Sequence, residues 1–273
     1  MATAAVRPPV DRRELTGPFD IIGDVHGCGD ELEELLAKLG YTLAWESDGE
    51  TRRARIEPPG GRTLVFVGDL VDRGPRTPDV LRIGMANARE GGLCVEGNHE
   101  NKLARWLAGR KVTHSNGLQA SIDQLRLESE AFRREAQAFL ETLPGHLWLD
   151  GGALVIAHAG LKDQMIGRDD GKTRAFALYG DVTGQTDADG YPVRRDWTKD
   201  REKGPAIVYG HVAAPEAEWV NNTICLDTGC VYGGRLTALR WPERELVQVD
   251  ALQEWYTPKR ALEDRVRYGV SDD

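Results

Sequence analysis

The chain has 273 residues, 40% of them hydrophobic and 29% charged, and a formal net charge of −9. That composition can fill a globular core as one large α/β domain or two small ones, and the acidic balance excludes bulk attraction to nucleic acid or to an anionic membrane, so any nucleic-acid contact must be local and end-specific. The four cysteines form no C-x-x-C pair, no apolar run approaches the ~18 residues of a membrane span, and Met1–Val10 lacks a signal-peptide core, so a cytoplasmic protein with reduced thiols is expected.

Residues 1–18, with Pro8, Pro9 and Pro18, read as a tail or linker. Phe19-Asp20-Ile21-Ile22 is a short strand that stops at Gly23 and delivers Asp24 and His26. Two residues apart on an extended turn, these project to one side and can reach one ion. Asp30 and Glu33 have the spacing of a capping box, opening a helix through Leu32, Leu35, Leu36 and Leu39 to Gly40. Residues 41–56 are predicted to form one or two polar strands, with Arg52-Arg53-Ala54-Arg55 as a solvated face.

The apolar run Leu64-Val65-Phe66-Val67 then meets Gly68-Asp69-Leu70-Val71-Asp72-Arg73-Gly74. Two carboxylates side by side repel unless cations neutralise them, and an adjacent Arg suits a tetrahedral oxyanion. Strand ends are where open α/β sheets place their ligands. A solvated Asp-Arg turn is the competing reading. Pro78 opens a helix through Val80, Leu81 and Met85, and Leu93-Cys94-Val95 is a third strand, ending in Gly97-Asn98-His99-Glu100. A helix from Asn101 stops at Gly109, and another carries Phe132, Ala136, Phe139, Leu140 and Leu143 on one stripe up to Pro144-Gly145.

Ala153–Ala157 is a fourth apolar strand and delivers His158. Residues 161–205 are polar and weakly periodic, which suits a functional or mobile loop; Arg168, Lys172 and Arg174 are its candidate nucleotide contacts, against the alternative of a solvated loop. Ile207–Gly210 delivers His211, and Thr223–Leu226 delivers Asp227. Arg235–Arg240 and Glu245–Val249 read as a closing hairpin, and residues 250–273 as a peripheral tail.

Four of the six histidines (His26, His99, His158 and His211) thus follow buried strands, whereas His114 and His146 do not and read as surface or packing residues. One such histidine is ordinarily a packed core residue; four together with Asp24, Asp69 and Asn98 suggest a metal site. Carboxylate, imidazole and amide oxygen without thiolate suit Mn, Fe, Ni or Zn in an open site.

GDVHG at 23–27, GDLVDRG at 68–74, GNHE at 97–100, HAG at 158–160 and GH at 210–211 resemble the motifs of the binuclear metallophosphoesterases, in their phosphoprotein-phosphatase-like, calcineurin-like branch. The motifs fall within residues 19–249. The resemblance implies an α/β fold of four layers, αββα, in which a β-sandwich of mixed sheets is flanked by helices. Within that branch, GPFDIIGDVHGC at 17–28, GRDDGKTRAFALYGDVTGQTD at 167–187 and WVNNTICLDTGCVYGGRLTALRWPERELV at 219–247 are most similar to the central phosphatase domain of bacterial polynucleotide kinase-phosphatase, an RNA-end repair enzyme.

The resemblance implies two divalent ions, Mn²⁺ foremost, with Ni²⁺, Fe or Zn²⁺ as alternatives. One is held by Asp24, His26 and Asp69, and the other by Asp69, Asn98, His158 and His211, with Asp69 bridging. Arg73 clamps the phosphate, His99 protonates the leaving oxygen and Asp72 orients His99. Asp227 either orients substrate or closes a turn before Gly229. Two such ions about 3.5–4 Å apart activate water and stabilise attacking and leaving oxygens.

The implied substrate is an RNA 2′-phosphate or 2′,3′-cyclic phosphate end. One alternative is a symmetrical dinucleoside-tetraphosphate hydrolase, which shares the LDTG…GGRLTAL segment but typically has Asn where this chain has Asp72. A second is a protein Ser/Thr phosphatase, against which Glu96 stands in place of the usual Arg. A binding-only scaffold has no use for Arg73 and His99. Kinase and ligase-like modules flank the phosphatase in the repair enzyme; this chain has no G-x-x-x-x-G-K-[ST], so an excised or stand-alone phosphatase is expected.

Overall fold

The structure is a computed structural model and describes residues 7–258, except 49, 50, 189, 191, 200 and 202. Two five-stranded mixed sheets form its centre, and β2 (Thr42–Asp48) with β3 (Thr51–Glu57) makes a separate antiparallel pair. The first has the order β14 (Glu245–Asp250), β13 (Arg235–Trp241), β1 (Phe19–Ile22), β4 (Thr63–Phe66) and β5 (Leu93–Cys94). The second runs β11 (Trp219–Val220), β12 (Thr223–Cys225), β10 (Ala206–Tyr209), β7 (Leu154–Ala157) and β6 (His146–Leu149). In each sheet three adjacent strands are parallel: β1, β4 and β5 in one, β7, β10 and β12 in the other.

Alternation along these strands builds the layers, because successive side chains point to opposite faces. Ile21, Val65, Ile156 and Val208 pack between the sheets, together with Phe19, Val67 and Leu239. Their neighbours Ile22, Phe66 and Ala238 face outward onto α1 (Gly29–Leu39), α2 (Thr77–Arg89) and α5 (Glu130–Thr142). On the far side Val155, Ile207 and Tyr209 pack with Phe176 and Ala177 of α6 (Gly171–Tyr179) and with Trp197. The expected αββα order is therefore the observed one. Each buried Leu of the α1 stripe (Leu32, Leu35, Leu36, Leu39) contributes about 1.5–3 kcal/mol against exposure.

Several local expectations differ. Asp30 and Glu33 do not cap α1: the helix begins at Gly29 with Cys28 as its cap residue, and both carboxylates instead bind the guanidinium of Arg76 at 2.6 Å. The helix expected from Asn101 starts at Asn98, as α3 (Asn98–Leu107), and a further helix, α4 (Leu118–Arg126), follows it. The 161–205 stretch holds α6, whose Asp170 cap accepts from Thr173 N at 2.9 Å, and a hairpin of β8 (Val182–Thr186) and β9 (Pro192–Arg194).

Both ends read as tails dock on the domain as far as they are described. Val10 and Arg12 exchange main-chain hydrogen bonds with Trp148. Trp255 and Tyr256 donate their main-chain N–H groups to Val231 O at 3.1 and 3.0 Å. The remainder of both expected tails, 1–6 and 259–273, lies outside the described residues.

Candidate active site

Parallel strands bring their carboxyl ends to one edge of the sandwich, and every expected metal ligand follows such an end. Asp24 and His26 follow β1, Asp69 follows β4, Asn98 follows β5, His158 follows β7 and His211 follows β10. The turns are tight and partly strained: His26, Asp69, Asp72, Arg73 and His211 all have φ between 46° and 74°, a region costly for residues with a Cβ and tolerated where the surroundings over-determine it. Glu100 supplies much of that determination. Fully buried, its Oε2 accepts from Asp69 N at 2.7 Å and Gly97 N at 3.0 Å, and its Oε1 accepts from Leu70 N at 2.8 Å. Burial and the neighbouring Asp69 push its carboxyl up to about 8, while these N–H donors favour the ionised form.

Asp69 Oδ2 is the hub. It lies 3.3 Å from His158 Nε2, 3.5 Å from His26 Nε2 and 3.9 Å from His99 Nε2. Burial alone would raise the Asp69 carboxyl, but His158, His99 and His26 outweigh it and hold the group well below its usual range. His158 shows the reciprocal effect: burial depresses it, and Asp69 more than compensates.

On one side of the hub, His158 Nε2 is 3.0 Å from both Asn98 Oδ1 and His211 Nδ1. His158 Nδ1 donates to Val67 O at 3.1 Å, which turns the lone pair of Nε2 into the cluster. On the other side, His26 Nδ1 donates to Val71 O at 2.8 Å, and the Nε2 it leaves free meets the Arg73 guanidinium. The second Arg73 amine donates to His99 Nε2 at 3.0 Å. His99 Nδ1 is bound to Asp72 Oδ2 at 2.6 Å, the pairing that orients an imidazole for proton transfer.

The donor set fits cations. Asp24 Oδ1 is buried with no hydrogen-bond partner, and the Asp24 carboxyl is pushed well above its usual range by burial and by Asp227 and Asp69. A Cβ on Gly210 would collide with that same oxygen, so the chain keeps a glycine there to let it in. Carboxylates crowded at this depth require positive charge opposite them, and Asp69 with His158 and His211, or with His26 and His99, places donor atoms within 4.8 Å of one another.

A family model described as calcineurin-like phosphoesterase matches residues 17–215. The chain belongs to this family. Among relatives, it is 46% identical over 237 residues to the asymmetrical bis(5′-nucleosyl)-tetraphosphatase PrpE of Geobacillus sp. (strain WCH70), covering 85% of this chain and 93% of that protein. The counterpart of the same name in Bacillus velezensis (strain DSM 23117 / BGSC 10A6 / LMG 26770 / FZB42) is 44% identical over 255 residues, 91% of this chain and 98% of that one. A crystal structure of a protein named provisionally as a diadenosine tetraphosphatase superposes with a TM-score of 0.65 at 26% identity, covering 91% of this chain and 99% of the other. These relatives correct the resemblance to the kinase-phosphatase: the motifs are those of the family, but near-full-length similarity runs to tetraphosphatases, with kinase and ligase-like modules unsupported. The expected tetraphosphatase alternative was the symmetrical kind; the relatives are named asymmetrical. The chain is accordingly a hydrolase acting on phosphate esters, and among the described residues no helix is long and apolar enough to cross a membrane.

The remaining expected residues are placed less simply. Asp227 is buried, accepts from Gly229 N at 3.1 Å in the turn-closing geometry, and also presses electrostatically on Asp24. Arg168 pairs with Asp170 at 3.0 Å, Lys172 is an exposed residue of α6, and Arg174 pairs with Glu96, which precedes Gly97. The cation that reaches the cluster from the 161–205 segment is Arg194 of β9, whose guanidinium donates to His211 Nε2 at 2.8 Å. Sequence reasoning also missed Tyr232 and Tyr256, whose rings lie 5.3 and 5.8 Å from the Arg73 guanidinium carbon. Aromatic neighbours of this kind leave no local signature: Tyr232 sits in a local turn on Gly229 O, and Tyr256 is brought to it by a main-chain bond to the distant Val231.

Proposed function

We propose that this chain cleaves bis(5′-nucleosyl) tetraphosphates asymmetrically, giving a nucleoside monophosphate and a nucleoside triphosphate. The observation that carries the chemistry is the convergence of His158 Nε2, His26 Nε2 and His99 Nε2 on one carboxylate oxygen of Asp69. Near-full-length similarity to proteins named for this activity supports the substrate.

Asp24, His26 and Asp69 would hold one divalent ion, and Asp69, Asn98, His158 and His211 the other. Bound there, such ions activate water near neutral pH and stabilise charge on phosphoryl oxygens; the mixed nitrogen and oxygen donors suit Mn²⁺, with Ni²⁺, Fe or Zn²⁺ compatible. Asp227 is a third carboxylate beside Asp24 and Asp69, and it adds to the negative charge that the cations would offset. Arg73 turns from the two imidazoles to the attacked phosphoryl group, which it grips through two parallel N–H bonds. With Arg73 turned away, His99 Nε2 is free to take up a proton, and His99, held through Nδ1 by Asp72, delivers that proton to the leaving oxygen.

Asymmetry is a question of which phosphorus sits beside Arg73. Tyr232 and Tyr256 flank the Arg73 guanidinium, and their rings form an edge-on pair with centroids 6.3 Å apart. A nucleobase stacked on such rings gains about 1–3 kcal/mol. With the nucleoside so close, the phosphorus beside Arg73 is the first one after the ribose, and the leaving group is the triphosphate. Arg194 then faces the departing phosphates, while Arg168, Lys172 and Arg174 stay peripheral to them.

Chromatography of products from diadenosine tetraphosphate with Mn²⁺ tests this. AMP and ATP in equal amounts are expected, and two ADP would refute the asymmetric reading. A panel with 2′-AMP, 2′,3′-cyclic AMP and a phosphopeptide decides the substrate class: faster turnover of any of these than of the tetraphosphate would return the chain to the RNA-end or protein-phosphatase alternatives.

A further inference from the structure

Away from the sheet-end cluster, two of the four cysteines face each other. Cys28 precedes α1, Cys230 lies in the turn after β12, and Glu31 stands one turn into α1; their exposures are 0%, 1% and 0%. The two sulfurs and a Glu31 carboxylate oxygen all lie within 4.8 Å of one another. Glu31 Oε1 accepts from Trp255 Nε1 at 2.7 Å and Leu252 N at 3.1 Å, but Oε2 has no hydrogen-bond partner. A buried carboxylate oxygen with nothing opposite it is costly. Cys28 Sγ also lies 3.9 Å from His26 O; Cys94 and Cys225 each lie 3.3–3.5 Å from a main-chain carbonyl but belong to no such cluster of donors among the described residues.

We propose that Cys28, Cys230 and Glu31 form a structural site for a thiophilic divalent ion of the zinc class, separate from the catalytic pair. Zinc takes sulfur at about 2.3 Å and carboxylate oxygen at about 2.0–2.2 Å in a tetrahedron. Donors on such a tetrahedron stand roughly 3.5–3.8 Å from one another, which this trio reaches with small side-chain adjustments. The fourth position falls to a water molecule or a main-chain oxygen. A disulfide accounts for less: thiols this deeply buried are poor targets for oxidants, and an S–S bond would leave Glu31 Oε2 as it is. Entry through the folded surface is not needed, since such sites fill as the chain folds.

The ion ties three segments together. Cys28 and Glu31 belong to the start of α1, two residues beyond His26; Cys230 is two residues from Tyr232; and Glu31 Oε1 holds the Leu252–Trp255 stretch that leads to Tyr256. The site therefore braces the aromatic wall beside Arg73 without touching the reacting groups.

Cobalt reports it. All the catalytic donors are nitrogen or oxygen, so a sulfur-to-cobalt charge-transfer band in the full chain can arise only from a cysteine site. The full chain, unfolded in denaturant with reductant and chelator and then refolded in the presence of Co²⁺, is expected to show that band for one ion per chain beyond those at the sheet ends. The band should vanish in Cys230→Ser, and Glu31→Gln should weaken that ion by at least about 10–100-fold, since even groups that only orient ligands cost that much. Should Cys230→Ser fail to fold, wild-type protein still decides the matter: a mercurial thiol reagent should release one zinc per chain in step with modification of two thiols. No charge-transfer band at saturating Co²⁺ in folded wild type, or a Cys28–Cys230 disulfide by mass spectrometry of non-reduced protein, would overturn the proposal.

Discussion

The two sides of Asp69 are built from the same kinds of donor and differ in what occupies them. Towards His158, the ring nitrogen, the Asn98 amide oxygen and the near nitrogen of His211 already converge, and Arg194 touches only the far nitrogen of His211. Towards His26, the nitrogen that would ligate is met by the Arg73 guanidinium, which also engages His99. Burial holds both His26 and His211 well below the usual imidazole range, helped by Arg73 in the first and by Arg194 in the second, so both are neutral and ligand-competent at pH 7. One half is thus preassembled, whereas in the other Arg73 occupies the nitrogen that an ion would take, and a bound phosphate would compete for Arg73. The His158 side should bind its ion more tightly, and a phosphate that draws Arg73 away should strengthen the His26 side.

Removing the hub gives the largest effect. Asp69→Ala should lose all measurable turnover on every substrate and both ions together, because it ends the sharing on which the comparison rests; retention of two tightly bound ions in that variant, by metal analysis, would break it. Arg73→Ala comes next, with a loss of about 10²–10³-fold in kcat, the usual cost of one preorganised charge-stabilising group. The same variant should bind the His26-side ion more tightly, since the competing guanidinium is gone. Weaker metal binding there would show that Arg73 supports the site and does not compete for it.

His99→Ala separates acid catalysis from metal binding. Such catalysis is worth about 10²–10⁴-fold where the leaving group is poor. A ribose alkoxide is poor, whereas the triphosphate leaving group proposed here departs readily. The loss should therefore be greater on 2′-AMP than on diadenosine tetraphosphate, with metal content unchanged. Equal losses, or depleted metal, would make His99 a fourth ligand on the His26 side. Asp72→Asn should show the same bias more weakly. Smallest are the peripheral cations: Arg194→Ala should raise KM for the tetraphosphate about tenfold, the scale of one charge-assisted hydrogen bond, while Arg168→Ala and Lys172→Ala should stay within about twofold, as exposed substitutions generally do. A large effect at Arg168 would restore the entrance role expected of it.

What was legible in the sequence follows from where the signal lies. Each expected ligand stands in the turn after an apolar strand, so Asp24, Asp69, Asn98, His158 and His211 could be placed near strand ends from sequence, whereas the split of Ile21 from Ile22 or Val65 from Phe66 between two faces shows only in the fold. Helix α6 was missed because nine residues give barely two turns of periodicity, and the capping reading of Asp30 and Glu33 failed because Arg76, from another segment, takes both carboxylates. Glu100 was visible in its motif, but its service to the Asp69 turn depends on main-chain N–H groups that no sequence pattern displays. Tyr256 looked peripheral because its partners, Val231 and Arg73, are distant in the chain. The resemblance to the kinase-phosphatase was corrected for a related reason: the motifs are shared across the whole family, so they do not tell its members apart.

Hydrolysis of diadenosine tetraphosphate in ¹⁸O-water, with mass analysis of both products, reports which phosphorus is attacked. If Arg73 holds the phosphorus next to a nucleoside docked on Tyr232 and Tyr256, the label enters AMP and the ATP released carries none. Label in ATP would move the attacked phosphorus one position along the chain and contradict the aromatic docking, and label in ADP would contradict asymmetric cleavage itself.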